Sequence, residues 1–368
     1  MIALDAMGGD LGAETVLTAA ARALAHGVTA KFLLFGDEPQ LRAHRARWPA
    51  LAEASEIVHC PKHVPMDMPP AQAVRYGRKD SSMGMAIEAV RAGRADCVVS
   101  AGNTGALMAL ATLQLRTMPH IARPAIAGIL PTDSGHAVML DLGATISITA
   151  EQYVQFAVLG EVYANARLGI ATPRIGLLNV GSEDMKGTEA IRRAAQMLEN
   201  SPLNFRGFVE GNGILQGEVD VVVTDGFTGN VALKTAEGTA QFITRNLRIA
   251  MRSSLMAQLG GVLAARAFRR LREKITVPGG GILLGLNGIV VKCHGGADVR
   301  SFASGIEIAH QLSRAKLLEH IQTDMHSVAA CLTEPPPSGG QTAQTEPSAA
   351  QTAQTASGGA TARGGAPV

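Results

Sequence analysis

The chain has 368 residues, of which 46% are hydrophobic and 17% charged, so it can form one large α/β domain or two lobes with a real core. Its formal net charge of +2 excludes the strongly basic balance typical of nucleic-acid-binding proteins. The four cysteines are scattered, without a CxxC pair or Cys/His cluster, which favours a reduced, cytosolic protein without a metal site. MIALDAMGGD lacks the basic start of a signal peptide, and no run approaches about 18 apolar residues, so we expect neither secretion nor a membrane span.

Short apolar runs alternate along the chain with longer stretches of helical periodicity. In order, the runs are IALD, KFLLFG, ADCVVS, AIAGIL, AVMLDLG, RIGLLNVG, FVEG, VDVVVT and GIVVKC. Strands that alternate with helices predict βαβ units around a largely parallel sheet. Several runs end in glycine-rich turns, and ligands of open α/β sheets bind at the carboxyl ends of the strands.

The glycine-rich turns favour a site for a small anion. One turn follows the first strand and contains Gly8, Gly9 and Asp10; others are NVGSEDMKGTE and VKCHGGAD. The order Lys186-Gly187-Thr188 differs from the Gly-Lys-Thr of a P-loop, so a nucleoside triphosphate site is not supported. No Gly-x-Gly-x-x-Gly opens a helix after the first strand, so a dinucleotide site is not supported either. Candidate cations are Lys186, Lys234 and the cluster in VRYGRKDSSM, although a solvated surface charge is the default explanation for each of them.

One strand-turn-helix pattern occurs twice. Asp96–Gly105, DCVVSAGNTG, matches Asp220–Gly229, DVVVTDGFTG, and a helical pattern follows both. Glycines allow close backbone approach, and a helix start offers unpaired N–H groups, so the two copies predict two walls of one anion-binding cleft. The predicted phosphate-binding residues are Gly102, Thr104, Gly105, Asp225, Gly226, Thr228, Gly229 and Asn230, together with those of the first turn.

Structural explanations remain open for the polar residues of these turns. Each Gly-x-Thr-Gly is also compatible with a tight turn that ends in a Thr N-cap. Asn103, Asp225 and Asn230 can orient a ligand or cap turns. His294, at the end of a predicted strand, can donate a proton or serve a structural role.

A basic, apolar segment follows, which we interpret as a helical hairpin at about 240–275. Between Arg245 and Lys274 there are eight basic residues and one acid, and apolar residues recur at every fourth position. We expect Gly260-Gly261 to divide it into two helices. Such a segment can bind an anionic membrane or an acidic partner protein, or pack in a dimer with its charges solvated. The basic residues proposed for contact are Arg245, Arg248, Arg252, Arg266, Arg269 and Arg270.

The last residues differ in composition from the rest of the chain. From 331 to 368 the sequence is rich in Pro, Gly, Ser, Thr and Gln and contains QTAQT twice. It has too few large apolar residues to offset the entropy of ordering, so we predict a disordered tail after a domain that spans 1–330.

Seven blocks, in order, are similar to bacterial phosphate acyltransferases. They are MIALDAMGGD, RKDSSM, SAGNTGALMA, MLDLGA, GLLNVGSEDMKGTE, VDVVVTDGFTGNVALKTAEG and GGILLGLNGIVVKCHGGAD, within about residues 1 to 325. The resemblance implies a Rossmann-like three-layer α/β fold like those of isopropylmalate dehydrogenase and phosphate acetyltransferase. It also implies a homodimer without cofactor or metal, in the cytoplasm and peripheral to the inner face of the membrane.

The implied reaction converts acyl-[acyl-carrier-protein] and inorganic phosphate into acyl phosphate, which a membrane glycerol-3-phosphate acyltransferase then uses in phospholipid synthesis. Phosphate itself is the nucleophile, and by position Lys186, His294 and Asn103 are the implied catalytic contacts, with His294 or Lys186 as proton donor. Thr145 and Ser147 stand where the family commonly has Asn and Asp. Two alternatives remain: a short-chain acyl-CoA phosphotransferase on the same scaffold, and a non-catalytic anion sensor recruited to membranes.

Overall fold

The computed structural model describes residues 1–275 and 280–333. Within these ranges eleven strands form one sheet. They are β1 (Ile2–Asp5), β2 (Phe32–Gly36), β3 (Ser55–His59), β4 (Cys97–Ser100), β5 (Ala125–Thr132), β6 (Gly135–Leu140), β7 (Ile175–Leu178), β8 (Phe205–Val209), β9 (Val221–Val223), β10 (Gly281–Leu284) and β11 (Ile289–Lys292). Each of the nine predicted runs overlaps one of these strands, whereas β3 and β10 are strands that the pattern of apolar runs missed.

The helices are α1 (Gly12–Ala25), α2 (Glu38–Arg45), α3 (Pro49–Glu53), α4 (Pro70–Gly77), α5 (Ser82–Arg91), α6 (Thr104–Leu115), α7 (Ala150–Leu168), α8 (Glu189–Glu199), α9 (Gly213–Gln216), α10 (Gly226–Ala250), α11 (Leu255–Leu263), α12 (Ala265–Ile275), α13 (Val299–Arg314) and α14 (Leu317–Thr333). Helix α14 includes the first three residues of the predicted tail. The remainder of that tail, from residue 334, lies outside the described residues.

The strand order is β3-β2-β1-β4-β11-β10-β5-β6-β9-β7-β8. Most neighbours are parallel, as predicted, but β10 is antiparallel to both β11 and β5, and β5 forms an antiparallel pair with β6. These three successive antiparallel pairs reverse the strand direction between β11 and β6. The parallel strands β6, β9 and β7 therefore run opposite to the parallel strands β1, β4 and β11. The carboxyl ends of these two sets of strands therefore lie at opposite edges of the sheet.

Helices cover both faces of the sheet, which gives the predicted three layers. Successive strand residues point to opposite faces. Thus Leu4 and Val99 belong to the hydrophobic core that contains α1, α7 and α13, whereas Ala3 and Val98 belong to the core that contains α5 and α6. All four of these side chains are completely buried, so the central strands are apolar on both faces and their carboxyl ends are held rigidly.

The predicted division of the basic segment at Gly260-Gly261 is wrong. Both glycines lie inside α11, and the helical breaks fall at 251–254, before α11, and at Ala264, after it. Ser254 starts α11 because its side chain accepts a hydrogen bond from the Ala257 N–H, at 3.1 Å. A glycine inside a helix costs only about 1 kcal/mol relative to alanine, which this well-capped helix tolerates.

Candidate functional site

Three polar side chains lie side by side where three buried parallel strands end. Lys292 of β11 is paired in register with Ser100 of β4, whose hydroxyl donates to Asp5 of β1 at 2.6 Å. Burial raises the pKa of Asp5, and burial also lowers the pKa of Lys292 from its ordinary 10.5 to about 8. Sequence reasoning missed Lys292, although a lysine that closes the apolar run GIVV next to a buried cysteine was a usable signal.

The turn after β1 packs tightly on the turns after β4 and β11. Gly9 has a φ of +91°, and a Cβ there would lie 2.9 Å from the Cβ of Ala101. The N–H of Asp10 donates to the Gly295 carbonyl at 2.9 Å, and the N–H of Gly8 contacts the Asp5 carboxylate. These predicted phosphate-binding residues thus use the N–H groups of Gly8 and Asp10 to hold the turns together.

Asn103 is the N-cap of α6, and its side-chain hydrogen bonds argue against the predicted contact with phosphate. Its side-chain oxygen accepts from the Ala106 N–H at 2.9 Å, while Nδ2 donates to the carbonyls of Met66 and Met68. Both donors of the amide are therefore used, and an anion needs donors. The uncharged cap leaves the positive end of the α6 dipole available, beside Thr104.

The second Gly-x-Thr-Gly is placed differently, and its helix start already holds a carboxylate. Asp225 caps α10 and accepts from both the N–H and the hydroxyl of Thr228, each at 2.8 Å, so a carboxylate already occupies this helix start. A Cβ at Gly229 would lie 1.9 Å from the carbonyl oxygen of Asp141, and one at Gly226 would meet the carbonyl of Thr145. These glycines permit close packing of α10 on the loop after β6, and we correct their assignment accordingly.

That loop is organised by Asp141, which is completely buried. Its carboxylate accepts hydrogen bonds from the N–H groups of Ile126, Gly143, Ala144 and Thr145, and from the Thr145 hydroxyl. Asn230 also donates to this loop, at the Leu142 carbonyl, 3.0 Å away. The Thr145 hydroxyl, which stands where the family commonly has Asn, thus has a structural role in this loop.

Lys186 lies away from the polar group of Lys292. It is half-exposed in the loop after β7 and forms an ion pair with Glu183 at 2.8 Å. The hydrogen bond to Glu183 raises the pKa of Lys186, so its ammonium group is a weaker proton donor than that of Lys292. The structure does not bring it together with His294 or Asn103.

A cavity of about 670 Å³, which we call the cationic cavity, lies beside Lys292 and beneath one side of α10. Its basic lining residues are Lys234, Arg245, Arg248 and Lys292, and its acid among the described residues is Glu237, which pairs with Lys234 at 2.7 Å. Thr104 in the first turn of α6, Asn230 in the second turn of α10 and His294 also line it, so both helices contribute polar groups near their starts.

His294 is exposed at this cavity and keeps one ring nitrogen for a ligand. Nδ1 accepts from the Gly296 N–H at 3.3 Å, which assigns the donor position to Nε2. The neighbouring Cys293 is buried, and burial raises the pKa of its thiol to about 12, as it does for Cys60 and Cys97. The cysteines whose side chains are described are thus inert thiols, and His294 is a hydrogen-bonding group without a nucleophilic partner.

A larger cavity of about 1020 Å³, the apolar cavity, lies along the other side of α10. Its floor includes Leu130, Met139 and Leu178 of the sheet, and its α10 wall includes Val231 and Ile243. Charged side chains among the described lining residues are Asp133 and the capping Asp225. The two cavities therefore differ sharply in charge although they share a wall.

The α11–α12 surface, residues 252–271, is basic and unusually apolar. Leu255, Met256, Leu259, Val262 and Leu263 are all more than half exposed and fall on one helical face. Arg252, Arg266, Arg269 and Arg270 are exposed around them, whereas Arg245 and Arg248 line the cationic cavity instead. Within the described residues no helix is long and apolar enough to cross a membrane.

The fold places the chain among α/β proteins built like the phosphotransacetylases. The structure matches a phosphotransacetylase from Streptococcus pyogenes with a TM-score of 0.58 and 20% identity, over 86% of this chain and 94% of that one. A phosphotransacetylase from Staphylococcus aureus gives 0.55 and 18%, over 85% and 93%. At these identities the likeness establishes the fold alone.

Sequence comparison identifies the family. A family model described as "Fatty acid synthesis protein" matches residues 1–320. The chain is 50% identical over 336 residues to a phosphate acyltransferase of Parvibaculum lavamentivorans, covering 90% of this chain and 93% of that protein. It is also 50% identical over 329 residues to one of Mesorhizobium japonicum, covering 88% and 92%. The chain belongs to the phosphate acyltransferase family and is an enzyme of that type.

Proposed function

We propose that the enzyme transfers a fatty acyl group from acyl-[acyl-carrier-protein] to inorganic phosphate and releases acyl phosphate and the free carrier thiol. The observation that carries this proposal is the cationic cavity, in which a buried lysine, a helix start without a carboxylate cap and His294 line one space. Desolvated positive charge of this kind suits a phosphate dianion and the oxyanion that develops when phosphate attacks a thioester.

Each residue of the cationic cavity has a separate role in this reaction. Lys292 and the start of α6 hold phosphate, and a phosphate oxygen attacks the thioester carbonyl. His294 donates from Nε2 to the oxyanion. As the carbon–sulfur bond breaks, Lys292 gives its proton to the thiolate, because its pKa of about 8 is close to that of a thiol. Phosphate is the nucleophile, so the inert cysteines are not required.

The reaction is tested by following purified palmitoyl-[acyl-carrier-protein] by intact-protein mass spectrometry, with and without phosphate. We expect phosphate-dependent return to the free carrier, with acyl phosphate trapped by hydroxylamine as the hydroxamate. Loss of the acyl group without phosphate, or no loss at all, contradicts the proposal.

A short-chain acyl-CoA phosphotransferase is the second candidate, favoured by the shared fold with phosphotransacetylases. It would use acetyl-CoA or butyryl-CoA in the same assay. Turnover with these donors and none with the acylated carrier protein would establish it. The size of the apolar cavity favours the long-chain reaction, because an acetyl group leaves that space empty.

We further propose that the α11–α12 surface binds an anionic membrane and the acidic carrier protein. Its exposed leucines can enter the lipid interface while its arginines contact phosphate headgroups or carboxylates. This role would place the enzyme on the cytoplasmic face of the membrane, as a homodimer that passes acyl phosphate to a membrane glycerol-3-phosphate acyltransferase. Dimer packing is the alternative occupant of the same surface.

Vesicle flotation separates these roles. We expect binding to vesicles that contain anionic lipid, and loss of binding when Arg266, Arg269 and Arg270 are changed to Ala. A matched triple change at the exposed arginines of other helices and turns, Arg47, Arg91 and Arg94, should leave flotation unchanged. If no variant or wild type floats, and the arginine changes alter the oligomeric state, the surface serves packing alone.

A further inference from the structure

The apolar cavity is a built space rather than a shallow surface depression. Leu130, Met139 and Leu178 form a buried floor, each less than 9% exposed. The opposing wall is α10, in which only Gly226 and Gly229 are buried. The helix packs on the sheet core through the partly buried Ala232 and Leu233, and most of its length stands away from the sheet. Small side chains of α10, including Ala236 and Ala240, face the gap and keep it open.

The α10 wall exposes large apolar side chains that nothing in the described chain covers. Val231 and Ile243 line the cavity and are 51% and 52% exposed. A deep cavity with such walls is typical of a binding site for an apolar ligand, and about 1020 Å³ is at the upper end of the range for small-molecule sites. A space of this size and lining suits a large apolar ligand.

The apolar cavity adjoins the cationic cavity. Leu130 of β5 and Ala240 of α10 line both. Consider a molecule with a carbonyl that phosphate can attack at one end and a hydrocarbon chain at the other. Its carbonyl would lie beside Lys292, and its chain would pass between Leu130 and Ala240 into the apolar cavity. Charge and continuity thus favour one elongated ligand over two separate ones.

We propose that the apolar cavity binds the hydrocarbon chain of the fatty acyl substrate, with the thioester carbonyl in the cationic cavity. This inference rests on the proposed function and adds the determinant of chain length. Each methylene buried contributes about 0.8 kcal/mol, which corresponds to about fourfold in binding. Long-chain donors should therefore have much higher kcat/KM than short-chain donors, up to the length that the cavity accommodates.

Filling the cavity tests the proposal. We expect Ala236→Trp to lower kcat/KM for palmitoyl carrier protein relative to octanoyl carrier protein by about 60-fold, the loss of about three buried methylenes at fourfold each. Ala250→Trp is the matched control, because Ala250 is exposed on the same helix and lines neither cavity. The control should keep the wild-type preference. Val231→Trp, at a half-exposed position, provides a second cavity variant should Ala236→Trp fail to fold.

The outcomes separate this inference from the proposed function. If the wild-type enzyme is inactive with every acyl donor, the proposed function is refuted. The cavity can still be tested by binding: palmitate should displace a fluorescent fatty acid from the wild type, and both should bind more weakly to Ala236→Trp. An active wild type whose chain-length preference is the same in both cavity variants refutes the acyl-chain site. If these variants instead change the oligomeric state and leave the preference intact, a second copy of the chain fills the cavity and the proposal is wrong.

Discussion

Replacing Lys292 by Met is the sharpest test of the phosphate site. The side chain lines the cationic cavity and is 8% exposed, so methionine of similar length keeps the packing and removes the charge. A hydrogen bond to a charged group contributes about 1.5–3 kcal/mol, so kcat/KM for phosphate should fall about 10- to 150-fold. Lys31→Met, at an exposed lysine outside the cavity, should leave kcat/KM unchanged.

The pH dependence follows from the direction of the pKa shift. The pKa of Lys292 lies below its unfolded value, at about 8 instead of 10.5, which is equivalent to about 3 kcal/mol against the charged form. Above pH 8 the free enzyme loses this cation, so kcat/KM for phosphate should fall with rising pH. Lys292→Arg, which stays protonated, should retain part of the activity and lose this alkaline decrease.

The stability of the folded protein tests the same pKa shift independently, because stability should rise over the pH range in which kcat/KM falls. Because the folded state disfavours the charged lysine, its burial is unfavourable below pH 8, and the penalty disappears as pH rises from about 8 to 10.5. Lys292→Met should therefore raise the melting temperature at pH 7, and raise it less at pH 10. A variant with unchanged phosphate kinetics and an unchanged pH profile would refute the assignment of Lys292.

Three further substitutions distinguish chemistry from architecture. His294→Ala should lower kcat about 100-fold without changing the melting temperature, because the exposed ring serves as a donor at the reaction centre; initial rates measure this, and unchanged turnover removes His294 from the mechanism. Asn103→Ala should reduce the free energy of unfolding by about 1 kcal/mol through loss of the α6 cap, with the KM for phosphate unchanged; a raised KM would restore its predicted contact. Asp141→Asn should cost about 3 kcal/mol in urea unfolding, because an amide cannot accept all the hydrogen bonds of the carboxylate, and a smaller loss would show that the loop relaxes.

Strand positions were predictable because buried parallel strands are continuous apolar runs. The edge strand Ser55–His59 was missed on the same ground, because it has a polar residue at each end and is not buried on both faces. Gly281–Leu284 was missed for another reason. Its sequence GILL is an apolar run that is buried on both faces, and it lies directly before the run that forms β11.

The direction of the strands was not predictable from local sequence. Both strand-turn-helix copies fold locally as expected, at β4–α6 and β9–α10. Their relative orientation depends on β10 and on the β5–β6 pair, which reverse the direction of the chain in the middle of the sheet. Such long-range pairing leaves no trace in either motif, so the motifs alone could not show that Thr104 lines the cationic cavity and Thr228 the apolar cavity.

The two copies also differ in where the helix begins relative to the shared residues. In the first, Asn103 within Gly-x-Thr-Gly is the cap, so Gly102 precedes the helix; in the second, Asp225 is the cap, and all four motif residues lie inside the first turn. Asparagine and aspartate cap equally well, but only aspartate brings a negative charge to the positive end of the helix. We therefore expect the cap residue, rather than the glycines, to determine which helix start receives phosphate, and this argument favours an anion beside α6 and Lys292 over one at the start of α10.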